Sequence, residues 1–536
     1  MSAAELILTG PIWTGDPAGS WTDAIAVRRG RILALGRDAC ADHVGAGTER
    51  VTLPGGLVVP GFQDAHVHPP FAGRNLDNVD LSGVTGLPGY LEAIRAYAAA
   101  QPDREWIVGG GWALESFPGG QPRKEDLDSV VPDRPVFLFN KDVHGAWVNS
   151  EALRRGGIDA ATPDPADGRY ERVPGTGAPT GMLQEGAAYT FEAQVVPAPT
   201  TNQWASHILS AQRHLHSLGI TGWQDAWVTP ATQDAYEYLA GAGQLTARVV
   251  GALWWDRHRG VEQIDSLIQR RREVGNFHAT SVKIMVDGIV ENGTAAMLEP
   301  YCRHDLGDHP NGLTYVESQA LAQTVTALDG LGFQVHQHAI GDAAVRSALD
   351  AVQAAREANG SNDLRHHIAH LQVVNPQDLP RFRELDVVVN MQTYWAQNEP
   401  QMRELNFPVL GQERSAQMYP FATIAASGAV LAMGSDWGVT TADPLQQIEV
   451  AVHRTDPATR EEEPFLPHEG LALRTALSAF TAGSAYVNHD DDAGWLAVGR
   501  RADLAVLDTN IFDAGVRPAD ATVTHTMAAG RWVYGG

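Results

Sequence analysis

Residues 333–371 read FQVHQHAIGDAAVRSALDAVQAAREANGSNDLRHHIAHL. A β-rich run at 333–338 gives way to a helical stripe over 342–358, where Val345, Ala348, Leu349 and Val352 share one face and Asp342 stands near the helix start. A second β-rich run follows at 366–371. Strand, helix, strand is one βα unit and predicts parallel strands. Outward from it, similar short runs lie near 57–65, 220–226, 246–254, 281–287, 387–392 and 430–436. Trp204, Ile208, Ala211, Leu215 and Leu218 form another helical stripe, and Gly219 supplies its stop. From 220 to 430 the six intervals average 35 residues, so the eight runs predict a closed (β/α)8 TIM barrel, an α/β fold.

The first interval breaks the period. It spans 163 residues, so 70–200 is expected to be an insertion after the first strand, with a strand of its own at 135–140. Insertions there fall on the C-terminal face of a barrel, where active sites sit. The two ends of the chain share a texture. Residues 24–35 and 523–534 each read as two short strands about an Arg-Gly or Gly-Arg turn, and 502–508 adds another strand. The expected organisation is a composite β-sandwich from 1–56 and 490–536, a (β/α)8 barrel over 57–489, and the 70–200 insertion near its mouth.

The composition agrees with a sizeable core: of 536 residues, 44% are hydrophobic and 19% charged. Lys and Arg number 39 against 64 Asp and Glu, a net charge of −25, which disfavours nucleic acid and anionic membrane surfaces as partners. Cys40 and Cys302 are the sole cysteines, so disulfide frameworks and thiolate zinc sites are excluded. The opening MSAAELILTGPIW has no signal-peptide pattern and no run of 18 apolar residues occurs, so a cytoplasmic protein is expected. A homodimer is the default expectation for such a barrel.

With 20 histidines available, metal chemistry would use nitrogen and oxygen ligands. His66 and His68 are two apart in PGFQDAHVHP, so a strand aims both imidazoles to one side. Lys283, His338, His370 and Asp436 each close another apolar run. A buried polar group in barrel core is costly unless paired or metal-bound. His336 would face the same side as His338 and competes with it as a ligand.

The wording of these segments resembles the amidohydrolase superfamily, in its amidohydrolase-3 (YtcJ-like) group, which includes N-substituted formamide deformylase. The motifs are PGFQDAHVHP, WIVGGGW, HGAWVNSEAL, GITGWQDA, VKIMVDG, HAIGD, GSDWG and GRRADLAVLD. The resemblance implies that His66, His68 and Asp436 hold one divalent metal and that His338 and His370 hold a second. Lys283, as an N-carboxylated lysine, would bridge the two; a single ion with unmodified Lys283 is the alternative. Zinc suits the donor set, with manganese or iron as alternatives. HAIGD favours His338 over His336, and His366 and His367 are expected to be structural. Ala369 stands where the family often has an acidic residue.

The expected function is a metal-dependent amidohydrolase of a small-molecule amide, formamide or related C–N bond. Asp436 would serve as general base and acid, with His144 stabilising the carbonyl oxygen. Trp112, Trp147, Tyr394, Trp395 and Trp437 are expected to wall an aromatic substrate pocket. Ester, lactone or carbamate hydrolysis at the same site is one alternative, and a catalytically silent, metal-stabilised binding or regulatory protein is another.

Overall fold

The computed structural model describes residues 3–53, 56–302 and 309–536. Its central sheet is a barrel of eight parallel strands: β1 (Phe62–Val67), β2 (Ile220–Val228), β3 (Arg248–Trp254), β4 (Phe277–Met285), β5 (Gln334–Ala339), β6 (His367–His370), β7 (Val388–Met391) and β8 (Leu431–Met433). Each strand pairs with its sequence neighbour, as right-handed βα crossovers require. The open seam between β8 and β1 is bridged beyond the strands, where Asp436 N donates to His66 O at 2.7 Å and His68 N to Trp437 O at 2.9 Å.

The helical stripes become the outer ring. Thr201–Ser217 starts with a capping box in which Thr200 and Gln203 satisfy each other's backbone N–H. Asp342–Asn359 buries Val345, Ala348, Leu349 and Val352 and packs beside Ser318–Gly330. Among the described residues, no helix is long and apolar enough to cross a membrane.

The run at 57–65 is two strands rather than one. Leu57–Pro60 pairs antiparallel with Leu504–Leu507, whereas Phe62–Val67 starts the barrel. The joint is Gly61, where a Cβ would lie 2.6 Å from Thr221 Oγ1, so only glycine lets the chain pass this close to β2. Strands from both ends form one continuous eight-stranded sheet, whose two halves share a single apolar core of Leu8, Ile25, Val27, Leu504, Val506 and Met527. It curls until two hairpin turns meet, with Gly530 N donating to Ala502 O at 2.9 Å and Ala502 N to Gly30 O at 2.8 Å.

The insertion holds far more than one strand. A six-stranded sheet runs in the order Gly168–Arg172, Pro179–Glu185, Gly145–Val148, Val136–Asn140, Ile107–Trp112, Val79–Asp80. Its glycine-rich strands read as loop because they lack side chains that mark a strand. Gly109 shows the reason for glycine: φ is +158° and a Cβ would sit 2.1 Å from Val79 O.

Candidate metal centre and active-site cavity

One cavity of about 860 Å³, counting its open mouth, lies at the C-terminal ends of the strands, and His66, His68, Lys283, His338, His370 and Asp436 all line it. Asp436 stands at its centre. Its Oδ1 is 3.2 Å from His66 Nε2 and 3.0 Å from His68 Nε2, and its Oδ2 is 3.8 Å from His370 Nδ1. His66, His370 and Asp436 offer donor atoms within 4.8 Å of one another. The His338 ring lies 4.4 Å from that of His370. Its Nε2–H donates to Gly288 O at 3.2 Å, which leaves Nδ1 with the lone pair.

Backbone strain collects here. Asp436 has φ +57° and His370 has φ +80°, left-handed values that cost a non-glycine residue roughly 1–3 kcal/mol. Both residues line the cavity at the ends of their strands.

Beneath the cavity lies a layer of buried polar residues, and its hydrogen bonds assign the tautomers. Gln334 Nε2 donates to Arg365 O and Val487 O, so its Oε1 accepts from Gln224 Nε2 at 3.0 Å. Asn390 Nδ2 donates to Ala65 O and to His367 Nδ1, so His367 Nε2–H points to Gln224 Oε1 at 3.1 Å. Gln224 Oε1 is thus an acceptor, and His336 Nδ1–H donates to it at 2.7 Å. His336 Nε2 then accepts from His66 Nδ1–H at 2.9 Å. His336 is therefore a support under His66, not a ligand beside His338. The chain of bonds leaves His66 Nε2 as a bare lone pair facing the Asp436 carboxylate. Two acceptors 3.2 Å apart repel unless a cation stands between them, so the donor set fits a divalent metal.

The electrostatics agree. Burial, then the neighbouring Lys283 charge, hold the His66 imidazole down to about 3, so it is neutral. Burial also lowers the Lys283 ammonium to about 7, against the pull of Asp436. Burial opposes ionisation of Asp436, but the surrounding imidazoles, His66 first, hold its carboxyl well below the usual range.

His144 also lines the cavity, from the loop between Val136–Asn140 and Gly145–Val148. Its Nδ1 lies 2.8 Å from Glu185 Oε2, and Thr294 Oγ1 donates to Glu185 Oε1 at 2.8 Å. Burial works against the imidazolium, but Glu185 raises it on balance. Glu185 was not singled out from sequence; its strand, PTGMLQE, is not the apolar run that the metal-side residues close. His366 is structural: its Nδ1 accepts from Val335 N and its Nε2–H donates to Asp329.

The aromatic wall differs from expectation. Of the five residues, Trp395 alone lines the cavity. Trp112 and Trp147 are fully buried in the insertion, 6.1 Å apart, with their indole N–H groups bonded to Leu138 O and Arg123 O. They follow strand alternation into the core beneath the insertion sheet. Tyr394 and Trp437 face a neighbouring cleft, where Trp437 packs 4.6 Å from the His214 ring. The cavity takes Phe71, Tyr189, Trp227, Trp254 and Tyr419 instead.

Residues 50–534 match the model of the Amidohydrolase family. The chain belongs to that family. It is 30% identical over 99% of its length to Protein LONG AFTER FAR-RED 3 of Arabidopsis thaliana, covering 92% of that protein. It is 26% identical to the N-substituted formamide deformylase of Arthrobacter pascens, over 95% of this chain and 94% of that one. The crystal structure of a metal-dependent hydrolase from Pyrococcus furiosus superposes with a TM-score of 0.72 at 28% identity, covering 95% of this chain and all of that chain. The amidohydrolase is thus a hydrolase of barrel architecture with a cavity suited to a divalent metal.

Proposed function

We propose that this amidohydrolase cleaves the C–N bond of a small amide, formamide or related compound, with zinc as the leading candidate metal. The observation that carries the reading is the bare His66 Nε2 facing Asp436 Oδ1 at 3.2 Å, a gap made for a cation. His66, His68 and Asp436 would hold a divalent ion, whose chemistry there would be to acidify a water and polarise a carbonyl. Asp436 takes the proton of the attacking water and returns it to the leaving nitrogen. His144, oriented by Glu185, aims Nε2–H at the carbonyl oxygen as negative charge develops there. His338 and His370 are the donors for a second ion. Lys283, with its amine lowered to about 7, would add through nitrogen to carbon dioxide and lose a proton, and the resulting carbamate would offer its oxygens as further donors.

The test is metal analysis with a substrate panel of N-formyl and N-acyl amines, following amine release. Chelation is expected to abolish release and zinc to restore it. Metal-loaded protein that releases no amine from any member overturns the reading, and faster turnover of matched esters assigns the site to ester hydrolysis instead.

A further inference from the structure

The cavity has a second polar wall, opposite in character to the metal side. Asp142 comes from the insertion loop that also carries His144, Glu291 from the loop after β4, and Gln401 from the segment after β7. Gln401 Nε2 donates to Glu291 Oε1 at 2.9 Å and lies 3.5 Å from Asp142 Oδ2, so one amide bridges two carboxylates. Asn406 Nδ2 donates to the same Glu291 oxygen at 2.8 Å. The donors of this wall are then used up.

What remains is acceptors. Asp142 Oδ1 and Gln401 Oε1 are buried without a hydrogen-bond partner, in residues only 7% and 2% exposed. Lys141 does not neutralise them by contact: its Nζ is 3.8 Å from Glu399 and stacks over Trp395 at 5.0 Å. A buried, unpaired carboxylate oxygen is costly and is retained where a ligand supplies the donor. Burial, then Glu291, push the Asp142 carboxyl up to about 8, so a positive group arriving beside it relieves both.

We propose that Asp142, Glu291 and Gln401 bind the cationic end of the substrate, an ammonium, amidinium or guanidinium group on the molecule whose C–N bond is cut at the metal centre. This rests on the hydrolase reading above. Three side chains are too few for the six to eight oxygens of a calcium ion, whereas an organic cation with several N–H donors matches converging acceptors. Trp395 and Tyr419 border the same cavity, and the Trp395 ring already carries one cation, the Lys141 ammonium at 5.0 Å. The net charge of −25 draws cations toward the mouth.

The experiment uses the zinc-loaded, full-length protein and calorimetric titration with butylguanidinium and its neutral isostere butylurea. Butylguanidinium is expected to bind about 10–100-fold tighter, the ratio charge-assisted hydrogen bonds produce. The ratio should collapse toward one in Asp142→Asn and, separately, in Glu291→Gln, so that one misfolded variant leaves the other to decide. Equal binding of the two probes to the unaltered protein, or an unchanged ratio in the folded variants, overturns the proposal. A parallel comparison of N-acyl amides ending in ammonium, in hydroxyl or in carboxylate separates the two readings. Hydrolysis of all three without preference for ammonium removes the subsite and leaves the hydrolase. Selective guanidinium binding with no hydrolysis removes the hydrolase and leaves the subsite.

Discussion

Around His66 the hydrogen bonds run in one direction, through His336 and Gln224, and are anchored where Gln334 and Asn390 meet backbone carbonyls. Around Asp142, a cavity-lining residue, two acceptor oxygens are buried with no donor to meet them. The first arrangement holds one tautomer before any ligand arrives, which is preorganisation of the reacting end. The second leaves bonding capacity open, which is what recognition of a variable molecule requires. The barrel strands supply the former and loops, one of them in the insertion, supply part of the latter, so rigidity and selectivity come from different parts of the chain.

The contrast can be broken from several sides. Asp436→Asn keeps the shape of the reacting end but removes its proton carrier, and kcat for amine release is expected to fall about 100–10,000-fold. A variant that retains full turnover would sink the assigned role of Asp436. Trp112→Ala acts on the scaffold beneath the insertion. It should lower stability by about 3–5 kcal/mol in denaturant titrations while leaving the KM of the folded fraction unchanged. A raised KM would return Trp112 to the substrate wall.

His336→Leu tests the relay directly. With its acceptor gone, His66 is free to take the wrong tautomer, and zinc affinity measured against a chelator is expected to drop about 10–100-fold with the fold intact. The smallest effect lies away from the cavity, where Asp329 meets His366. Burial opposes ionisation of Asp329, yet hydrogen bonds from His366, Asn362 and Asn359 lower its carboxyl to about 2. A folded value below the unfolded one stabilises above about pH 4, and that contribution is lost as pH falls through 2. Asp329→Asn should therefore cost about 2 kcal/mol near neutral pH and progressively less from pH 4 to 2, with metal affinity unchanged.

Much of the barrel was legible because its period is regular and its ligand-type residues close apolar runs. His66, Lys283, His338, His370 and Asp436 stand out for that reason: charge or imidazole where core is due. The tryptophans carried no such contrast, since an indole serves equally in a core or a pocket wall. Trp112 was expected in a loop near the mouth, yet the glycines before it belong to a strand that packs closely on its neighbour. Pro60-Gly61 was a turn signal inside what read as one strand, and it divides two sheets. Gln224, His336 and Glu185 depend on partners far away in sequence, and no local pattern announces a tautomer relay.

The shared end sheet has a consequence for the making of the protein. Leu57–Pro60 emerges from the ribosome early, but its partner Leu504–Leu507 is synthesised more than 400 residues later. The nascent chain must carry that strand with one edge unpaired while the barrel assembles behind it, exposed to mispairing and to chaperones. Completing this sheet is thus a closing step, and termination of translation near residue 500 should yield barrels that aggregate through an open edge.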